Sequence, residues 1–201
     1  MGKLYLWERP KGFKNFEIGD YDEEKSIDRF KFLAGKRLLK DESVGECIFT
    51  FEMSKEEASH YDSLLNNSAS PLVNEKIREL LICLAPEDVQ FFPAKVICSD
   101  GELEGYYLVN VTYRLKAVDH PASEYSILDL PDGAKMMMSI KKLTLKEEIM
   151  GNHHIIREGE TLHVVVSQTL VNVFEKEKIK GVRMLTSDEY YGELNQAYRR
   201  L

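Results

Sequence analysis

Two long runs of β-forming residues on either side of a turn constrain the fold of this chain more than any other feature. The runs are VQFFPAKVIC, residues 89–98, and GYYLVNVTYRLKAV, residues 105–118, and both are rich in β-branched and aromatic side chains. Between them stands Ser99-Asp100-Gly101, a combination that favours a tight turn. The sequence therefore predicts a long antiparallel hairpin in the middle of the chain.

Five further segments have the residue types or the period-two alternation of strands. In ECIFTFEM the apolar residues include Phe49, Phe51 and Met53, which lie two residues apart along the chain. The predicted strands lie in segments 3–9, 46–53, 134–145, 153–158 and 162–166. Residues 54–71 are expected to form a short amphipathic turn or helix followed by a loop.

Two segments carry the signals of amphipathic helices. In NEKIRELLICLAP, Asn74 is suited to cap the first turn and Pro86 ends the helix. In SQTLVNVFEKEKIKG, Ser167 is the cap, and Gly181 fits the left-handed position that follows a helix. The apolar faces are Ile77, Leu80, Leu81 and Leu84 in the first helix, and Leu170, Val173 and Phe174 in the second.

The two helical segments also match each other with a shift of 93 residues, the separation of Asn74 and Ser167. Apolar residue meets apolar residue along both helices and into the strand that follows each, so that Ile77 aligns with Leu170. The sequence predicts a cap–helix–turn–strand unit that is used twice, with each helix packed onto a sheet. Whether the two units arose by duplication is left open.

Together these elements predict an α+β fold with a mostly antiparallel sheet and two short packed helices. The chain has 201 residues, 43% of them hydrophobic, which is enough for one domain with a real core. We expect a single domain over residues 1–201, with 1–70 as an N-terminal layer and 71–186 as the core.

The charge of the chain limits its partners. Its formal charge is −7 and its pI is about 5.4, whereas nucleic-acid binding needs a surplus of Lys and Arg. No segment has the length and hydrophobicity of a signal peptide or a membrane span. We therefore expect neither nucleic acid nor a membrane as a partner. Cys47, Cys83 and Cys98 each lie in an apolar run, which predicts buried free thiols and a reducing cytoplasm.

Residues 151–163, GNHHIIREGETLH, hold three of the five histidines and form the segment most suggestive of a reaction. If a hairpin closed there in a two-residue turn at 158–159, His154 would face His163, and a carboxylate could complete a zinc site. That is the alternative of a metal-binding enzyme built on the His153–His163 hairpin. Against it, the spacing matches no established metal motif, and adjacent strand residues point to opposite faces. We predict a hairpin that carries histidines, with no catalytic residue, metal or cofactor.

A second alternative is a scaffold or assembly protein. It is suggested by the apolar and aromatic content of FFPAKVI, residues 91–97, and of MMMSI, residues 136–140. The methionine run is more typical of a buried strand than of a groove for a partner. The oligomeric state is left open by the sequence.

Residues 105–126, GYYLVNVTYRLKAVDHPASEYS, resemble the central signature of a bacterial family, family eleven of the polymorphic-toxin immunity proteins. The positions that carry the resemblance are Tyr106, Tyr107, Leu108, Val109, Asn110, Asp119 and Ser123. Segments before and after this signature resemble the family in the same order, so the likeness extends from about residue 28 onward. The family's phenylalanine before the hairpin arginine is Ile156 here, which keeps an apolar β-former before Arg157. The resemblance brings no catalytic residue, and we expect structural roles for Asn110 and Ser123.

The resemblance implies a non-enzymatic, cytoplasmic protein that protects its producer by binding a cognate secreted toxin. Many such toxins are basic nucleases, so acidic segments are candidate contacts because they would steer association. Tyrosines beside the carboxylates fit an interface hot spot, although any one segment could also be ordinary solvated surface. The candidate partner-binding residues form three groups: Asp20, Asp22, Glu23 and Glu24; Glu102, Glu104, Tyr106 and Tyr107; and Asp188, Glu189, Tyr190 and Tyr191.

Overall fold

The computed structural model of the chain describes residues 2–43, 45–131, 133 and 135–198, without the side chains of residues 135 and 195–198. The strands in these residues are β1 (Leu4–Glu8), β2 (Asp20–Tyr21), β3 (Cys47–Thr50), β4 (Ser63–Leu64), β5 (Leu72–Asn74), β6 (Val89–Cys98), β7 (Gly101–Val111), β8 (Arg114–Leu115), β9 (Glu124–Asp129), β10 (Lys135–Lys142), β11 (Ile155–Glu158), β12 (Val164–Ser167) and β13 (Arg183–Leu185). The α-helices are α1 (Arg29–Leu33), α2 (Lys55–Ser59), α3 (Glu75–Leu84), α4 (Gln168–Lys176) and α5 (Ser187–Tyr198). Short 3₁₀ helices span Asn15–Glu17, His120–Ala122 and Glu147–Met150.

The strands form two large sheets and one ribbon. One sheet has the order β2-β3-β6-β7-β5-β4, and the other has the order β13-β1-β12-β11-β8. Every pairing in them is antiparallel except β3 with β6 and β11 with β8. Strands β9 and β10 pair only with each other within the described residues. The predicted α+β fold is confirmed, with its antiparallel strands divided between two sheets.

A central core lies between the two sheets and includes both predicted helices. Strand residues from the six-stranded sheet, such as Val109, and from the five-stranded sheet, such as Val164, pack there with Ile77 of α3 and Phe174 of α4. The outer face of the six-stranded sheet is covered by N-terminal residues, among them Phe32. The alternation of strand residues thus buries both faces of each sheet in part.

The repeated unit is present in both sheets with the same topology. Strand β5 leads through α3 to β6, and β12 leads through α4 to β13. In each unit the two strands run parallel to each other with one antiparallel strand between them, β7 in one sheet and β1 in the other. Asn74 and Ser167 cap the helices as predicted, accepting hydrogen bonds from Ile77 N (3.2 Å) and Leu170 N (3.3 Å). The shared local structure is confirmed, and duplication stays a prediction.

The central hairpin is confirmed and closes with Cys98 opposite Gly101. The second run of β-forming residues is shorter than predicted, because β7 ends at Val111 and a separate two-residue strand, β8, follows. Cys47 and Cys98 are buried as predicted, but Cys83 is exposed. Cys83 follows the buried Leu81 by two positions, which places it on the other side of helix α3.

Three features of the helices differ from the sequence prediction. Helices α1 and α5 were not predicted, since α1 is a single short turn and α5 begins in an acidic segment with few apolar residues. Gly181 does not follow a helix end: α4 ends at Lys176, and Lys178 takes the left-handed conformation with φ of 53°. Gly181 also has a positive φ of 90°, but it packs against the backbone of Ser63.

The division of the chain near residue 70 stays a prediction, although residues on both sides of it share the sheets. Strand β1 lies between β12 and β13, and β3 lies beside β6. Among the residues with described structure, no helix is both long enough and apolar enough to cross a membrane.

Candidate functional site

The six-stranded sheet presents an exposed face beside helix α3, which we call the open face. Asp20 pairs with Thr50, Thr50 with Ile97, and Ile97 with Glu102, so the four residues form one row across β2, β3, β6 and β7. Three strand spacings separate Asp20 from Glu102, roughly 14 Å. The open face consists of Asp20, Glu46, Thr50, Phe91, Pro93, Lys95, Ile97, Glu102, Glu104 and Tyr107. Two of the three predicted acidic segments therefore contribute to the same surface.

An irregularity in β7 places Glu102 and Glu104 on this face. The register of β6 and β7 shifts between the Ala94 and Val96 pairings, at Gly105, which has φ of 85°. An extra residue in one strand reverses the alternation of its side chains beyond that point. As a result Leu103 joins the buried cluster on the opposite face, while both glutamates are exposed to solvent.

The open face is acidic and has aromatic residues at one side. Its four carboxylates face one ammonium group, that of Lys95, which gives a formal charge of −3. Lys95 Nζ lies 3.6 Å from a carboxylate oxygen of Glu102. At the α3 side, the Arg78 guanidinium lies 4.8 Å from the centre of the Tyr107 ring and 5.7 Å from that of Phe91. Arg78 is paired with Glu75, so it leaves the negative charge of the face unchanged.

The other predicted residues of the first segment line the edge of the open face and have local partners. Asp22 accepts hydrogen bonds from the backbone N–H groups of Lys25 (3.1 Å) and Glu24 (3.2 Å). These bonds, with that of Lys25 the largest cause, hold the pKa of Asp22 below its usual value. Glu23 forms an ion pair with Arg29 at 3.0 Å, and the Glu24 side chain is exposed.

Tyr106 is a correction to the second predicted segment, because its side chain is in the core. Only 5% of the residue is exposed, and its hydroxyl donates to the carbonyl oxygens of Tyr61 (2.7 Å) and Ala58 (3.2 Å). The signal for this was present in the sequence, since strand neighbours point to opposite faces and only Tyr107 of the pair is partly exposed.

The buried hydroxyl of Tyr106 predicts a specific loss of stability at alkaline pH. Burial raises the pKa of Tyr106 from 10.0 to about 12. Because the pKa is higher in the folded state, the neutral hydroxyl stabilises the fold fully below pH 10. This stabilisation is lost as the pH rises from about 10 to about 12, and the difference between the two pKa values corresponds to about 3 kcal/mol. We expect Tyr106→Phe to be about 1–2 kcal/mol less stable than wild type at pH 8, because it lacks the hydrogen bonds. Between pH 10 and 12 its urea-unfolding free energy should fall less steeply.

Tyr113→Phe is the control for that measurement, since Tyr113 is 38% exposed. Its unfolding free energy should follow the wild-type profile throughout. Parallel alkaline profiles for wild type and Tyr106→Phe would show that another buried group causes the loss.

The third predicted segment lies in helix α5, on the other sheet. Asp188 and Glu189 are exposed in its first turn, and Glu189 accepts bonds from the N–H and hydroxyl groups of Thr186, both at 2.8 Å. Tyr190 is partly buried, but Tyr191 is only 4% exposed, so it is corrected from a contact residue to a core residue. The Tyr191 hydroxyl lies 3.3 Å from His163 Nε2.

The three histidines of the hairpin occupy three different environments. The register puts His154 opposite Ser167, because a four-residue loop at 159–162 separates β11 from the residues before β12. His154 Nδ1 lies 2.9 Å from Ser167 Oγ, whereas His163 Nδ1 lies 3.0 Å from Glu8 Oε1. The pairing of His154 with His163 imagined for a zinc site is therefore wrong. In the part of the chain that the structure describes, no three His, Cys, Asp or Glu side chains are grouped to hold a metal.

His153 reveals a buried carboxylate that the sequence prediction missed. Its Nδ1 lies 2.6 Å from Oδ1 of Asp88, which is 4% exposed. The other oxygen of Asp88 accepts bonds from His154 N (2.7 Å) and Ile155 N (3.4 Å). Asp88 stands in the turn before β6, so the contact joins the six-stranded sheet to β11. No local pattern marks an aspartate in a turn as the partner of a segment 65 residues away.

Two of the signature residues have the structural roles expected for them. The buried Asn110 donates to Lys36 O (2.9 Å) and Gln90 Oε1 (3.1 Å), which ties a loop to the hairpin. Ser123 Oγ donates to Asp119 O at 2.7 Å and accepts from Thr144 N at 2.9 Å.

The β9–β10 ribbon differs from the expectation of a buried methionine strand. Met137 packs toward α5, but Met136 and Met138 are 46% and 41% exposed on the opposite face, where Leu128 is also exposed. The scaffold or assembly interpretation stays a prediction, with this ribbon as the surface that it would use.

The fold and these surfaces define a two-sheet α+β protein whose largest assembled group of predicted contact residues is an acidic, exposed sheet face. A scan of protein-family models identifies the family: residues 7–187 match the immunity protein family Imm11. The chain therefore belongs to the Imm11 immunity protein family. This confirms the resemblance drawn from the central signature, and the match begins closer to the N-terminus than residue 28. Among curated proteins, none matches the chain.

Proposed function

We propose that this immunity protein binds a cognate secreted toxin in the cytoplasm of the producing cell and neutralises it by non-covalent occlusion. Membership of the immunity family supports binding to a toxin, and the acidic open face is the observation that supports the mode of binding. The open face has a formal charge of −3 and is built on strands, which hold it in a fixed shape. Such a preformed surface binds with little ordering of its backbone.

A basic toxin domain, such as a nuclease, is the partner that fits this surface best. Carboxylates on a flat sheet attract a site that has evolved to hold phosphate, and this attraction accelerates association at low salt. Tyr107 and Phe91 provide aromatic contact area at the edge of the charges. A stable complex needs about 800 Å² on each partner. Contact over the open face and its edge would block or distort the toxin's active site without any reaction.

The first experiment is to co-precipitate the tagged protein with the toxin domains encoded beside its gene, and to measure whether it abolishes their toxicity. With the toxin in hand, Glu46→Lys/Glu104→Lys tests the open face. Neither side chain forms a hydrogen bond or ion pair with other described residues, so folding should be unaffected. We expect the association rate at low salt to fall about tenfold or more, and the difference from wild type to shrink as salt rises.

Glu147→Lys/Glu148→Lys is the matched control, because it makes the same charge change in a 3₁₀ helix that packs on the outer side of the five-stranded sheet. Asp188→Lys tests the α5 segment separately. If Glu46→Lys/Glu104→Lys and Asp188→Lys both associate at the rate of the control, charge steering by these surfaces is wrong. If no toxin domain binds, the proposed function itself is wrong.

A further inference from the structure

A cavity of about 410 Å³ lies where the two sheets meet. Its walls come from the end of β1, from β4 and the loop to β5, and from the β11–β12 loop. Trp7, Leu64 and Leu65 provide apolar surface, while Ser63 and Ser70 provide hydroxyl groups. Cavities of this size and mixed lining are typical of small-molecule sites.

Behind one wall of the cavity lies a fully buried arginine. Arg157 is 0% exposed, and its Nη1 and Nη2 atoms donate to Leu162 O (2.8 Å) and Ser70 Oγ (3.2 Å). Its Nε atom is buried and has no hydrogen-bond partner among the described residues. Burial, with a smaller effect of Arg114, lowers the pKa of Arg157 to about 10. A buried cation whose contacts are all neutral is costly, so an anion nearby would stabilise it.

The neighbouring carboxylate does not fill this need. Glu158 follows Arg157 on β11, so its side chain points to the opposite face of the strand. Its oxygens already accept bonds from Ala117 N (3.1 Å), Glu160 N (2.7 Å) and Thr161 N (2.6 Å). The guanidinium therefore faces the cavity wall through neutral groups, the hydroxyl of Ser70 and the carbonyl of Leu162.

The hydroxyl of Ser70 connects the arginine to the cavity. Because Ser70 Oγ accepts a hydrogen bond from the guanidinium, its own proton is free to be donated, and the cation makes it a stronger donor. Ser70 Oγ has no other hydrogen bond with the described residues. Ser63 of β4 and the exposed Arg9, which follows β1, also line the cavity. The Ser70 hydroxyl therefore presents a donor to the cavity, with the positive charge of Arg157 behind it.

Backbone strain occurs at two lining residues close to Arg157. Ala69 and Leu162 line the cavity and have φ of 63° and 62°, a region that residues other than glycine seldom adopt. Leu162 accepts a hydrogen bond from Arg157, and Ala69 precedes Ser70, which accepts another. Strained conformations of this kind persist where the surroundings hold them, and they cluster at binding sites.

We propose that this cavity binds a small molecule that combines a carboxylate group with an apolar or aromatic body. The carboxylate accepts a hydrogen bond from the Ser70 hydroxyl and balances the charge of Arg157. The body packs against Trp7, Leu64 and Leu65. Glu8 and His163 also line the cavity, but their side chains already contact each other at 3.0 Å, so the Ser70 hydroxyl remains as the recognition group.

Three probes of one shape and different charge test this proposal on the full chain: benzoate, benzamide and benzamidinium. Binding is measured by titration calorimetry in a buffer without carboxylates or phosphate. We expect benzoate to bind at least ten times more tightly than benzamide, and benzamidinium to bind most weakly. Ser70→Ala and Arg157→Met should each remove the preference for benzoate over benzamide. Arg37→Gln, a surface arginine whose guanidinium bonds to Pro86 O, should keep it.

The proposal is overturned if benzoate binds no better than benzamide, or if none of the probes binds. A preference for benzamidinium would also overturn it and would assign recognition to Glu8. If Arg157→Met does not fold, Ser70→Ala decides the question, because it removes only one hydroxyl. Its result is independent of toxin binding, so the failure of one proposal leaves the other in place.

Discussion

Gly181→Ala is expected to abolish folding at physiological temperature, with a loss of more than about 4 kcal/mol. A Cβ at this position would lie 1.9 Å from the carbonyl oxygen and 2.9 Å from the carbonyl carbon of Ser63, both backbone atoms that have no freedom to rotate away. The φ of 90° adds strain for any side chain. The loop cannot retreat, because Lys180 O accepts bonds from the N–H groups of Asp62 and Ser63, each at 3.0 Å. Urea unfolding followed by circular dichroism would measure the loss.

Gly12→Ala is the matched control, since Gly12 also has a positive φ, 73°, but its Cβ would meet nothing within 4 Å. We expect it to cost only about 1–2 kcal/mol, the cost of the left-handed conformation alone. The pair also separates two interpretations of Gly181. If Gly181 acted only as the predicted position after a helix, both substitutions would cost about the same. Equal losses would thus contradict the close packing of this loop on β4.

The features that were predictable from sequence are those set by neighbours along the chain. Asn74 and Ser167 are caps because their side-chain oxygens reach an N–H group three residues ahead, and that geometry depends on local backbone alone. The hairpin at Ser99-Asp100 follows in the same way from turn residues between two β-forming runs. The repeat of cap, helix and strand is a sum of such local signals, which is why both units have the predicted structure.

The assembly of the sheets could not be predicted in this way. Strand β1 occupies the position between β12 and β13 that β7 occupies in the other unit, although it lies more than 150 residues from both in sequence. Pairing at that distance leaves no local signal, because any half-apolar strand satisfies the same pattern. The absence of such a signal also explains why the short strands β2 and β4 were missed.

The candidate sites show the same limit. The acidic residues were recognisable as a composition, but their meeting on the open face depends on the extra residue at Gly105 and on three strand registers. The burial of Tyr106 and the partial exposure of Tyr107 follow from strand alternation, which is a local signal. The cavity was unpredictable, because its walls come from segments that become neighbours only when the sheets pack. The family signature gave the functional class without any of this geometry.

Asp88→Ala is expected to destabilise the protein by about 3–4 kcal/mol, since it removes one acceptor group that serves three donors. His153 Nδ1, His154 N and Ile155 N would all lose their partner, and buried donors without acceptors cost about 1–3 kcal/mol each. Asp119→Ala is the control: Asp119 makes no side-chain cap bond in its 3₁₀ helix, and we expect a change within about 0.5 kcal/mol.

A double-mutant cycle with His153→Ala separates the imidazole from the backbone donors. If the two N–H groups carry most of the effect, His153→Ala alone should cost about 1 kcal/mol, and Asp88→Ala should remain costly in its presence. A loss as large for His153→Ala as for Asp88→Ala would instead place the effect in the contact between the two side chains. Asp88 precedes β6 of the first repeated unit and bonds to the start of β11. Strand β11 lies beside β12, which belongs to the second repeated unit. Hydrogen exchange of Asp88→Ala separates two possibilities. If backbone amides lose protection only in β11 and β12, the Asp88 carboxylate docks one unit on the other. If amides lose protection equally across both sheets, the two units unfold together.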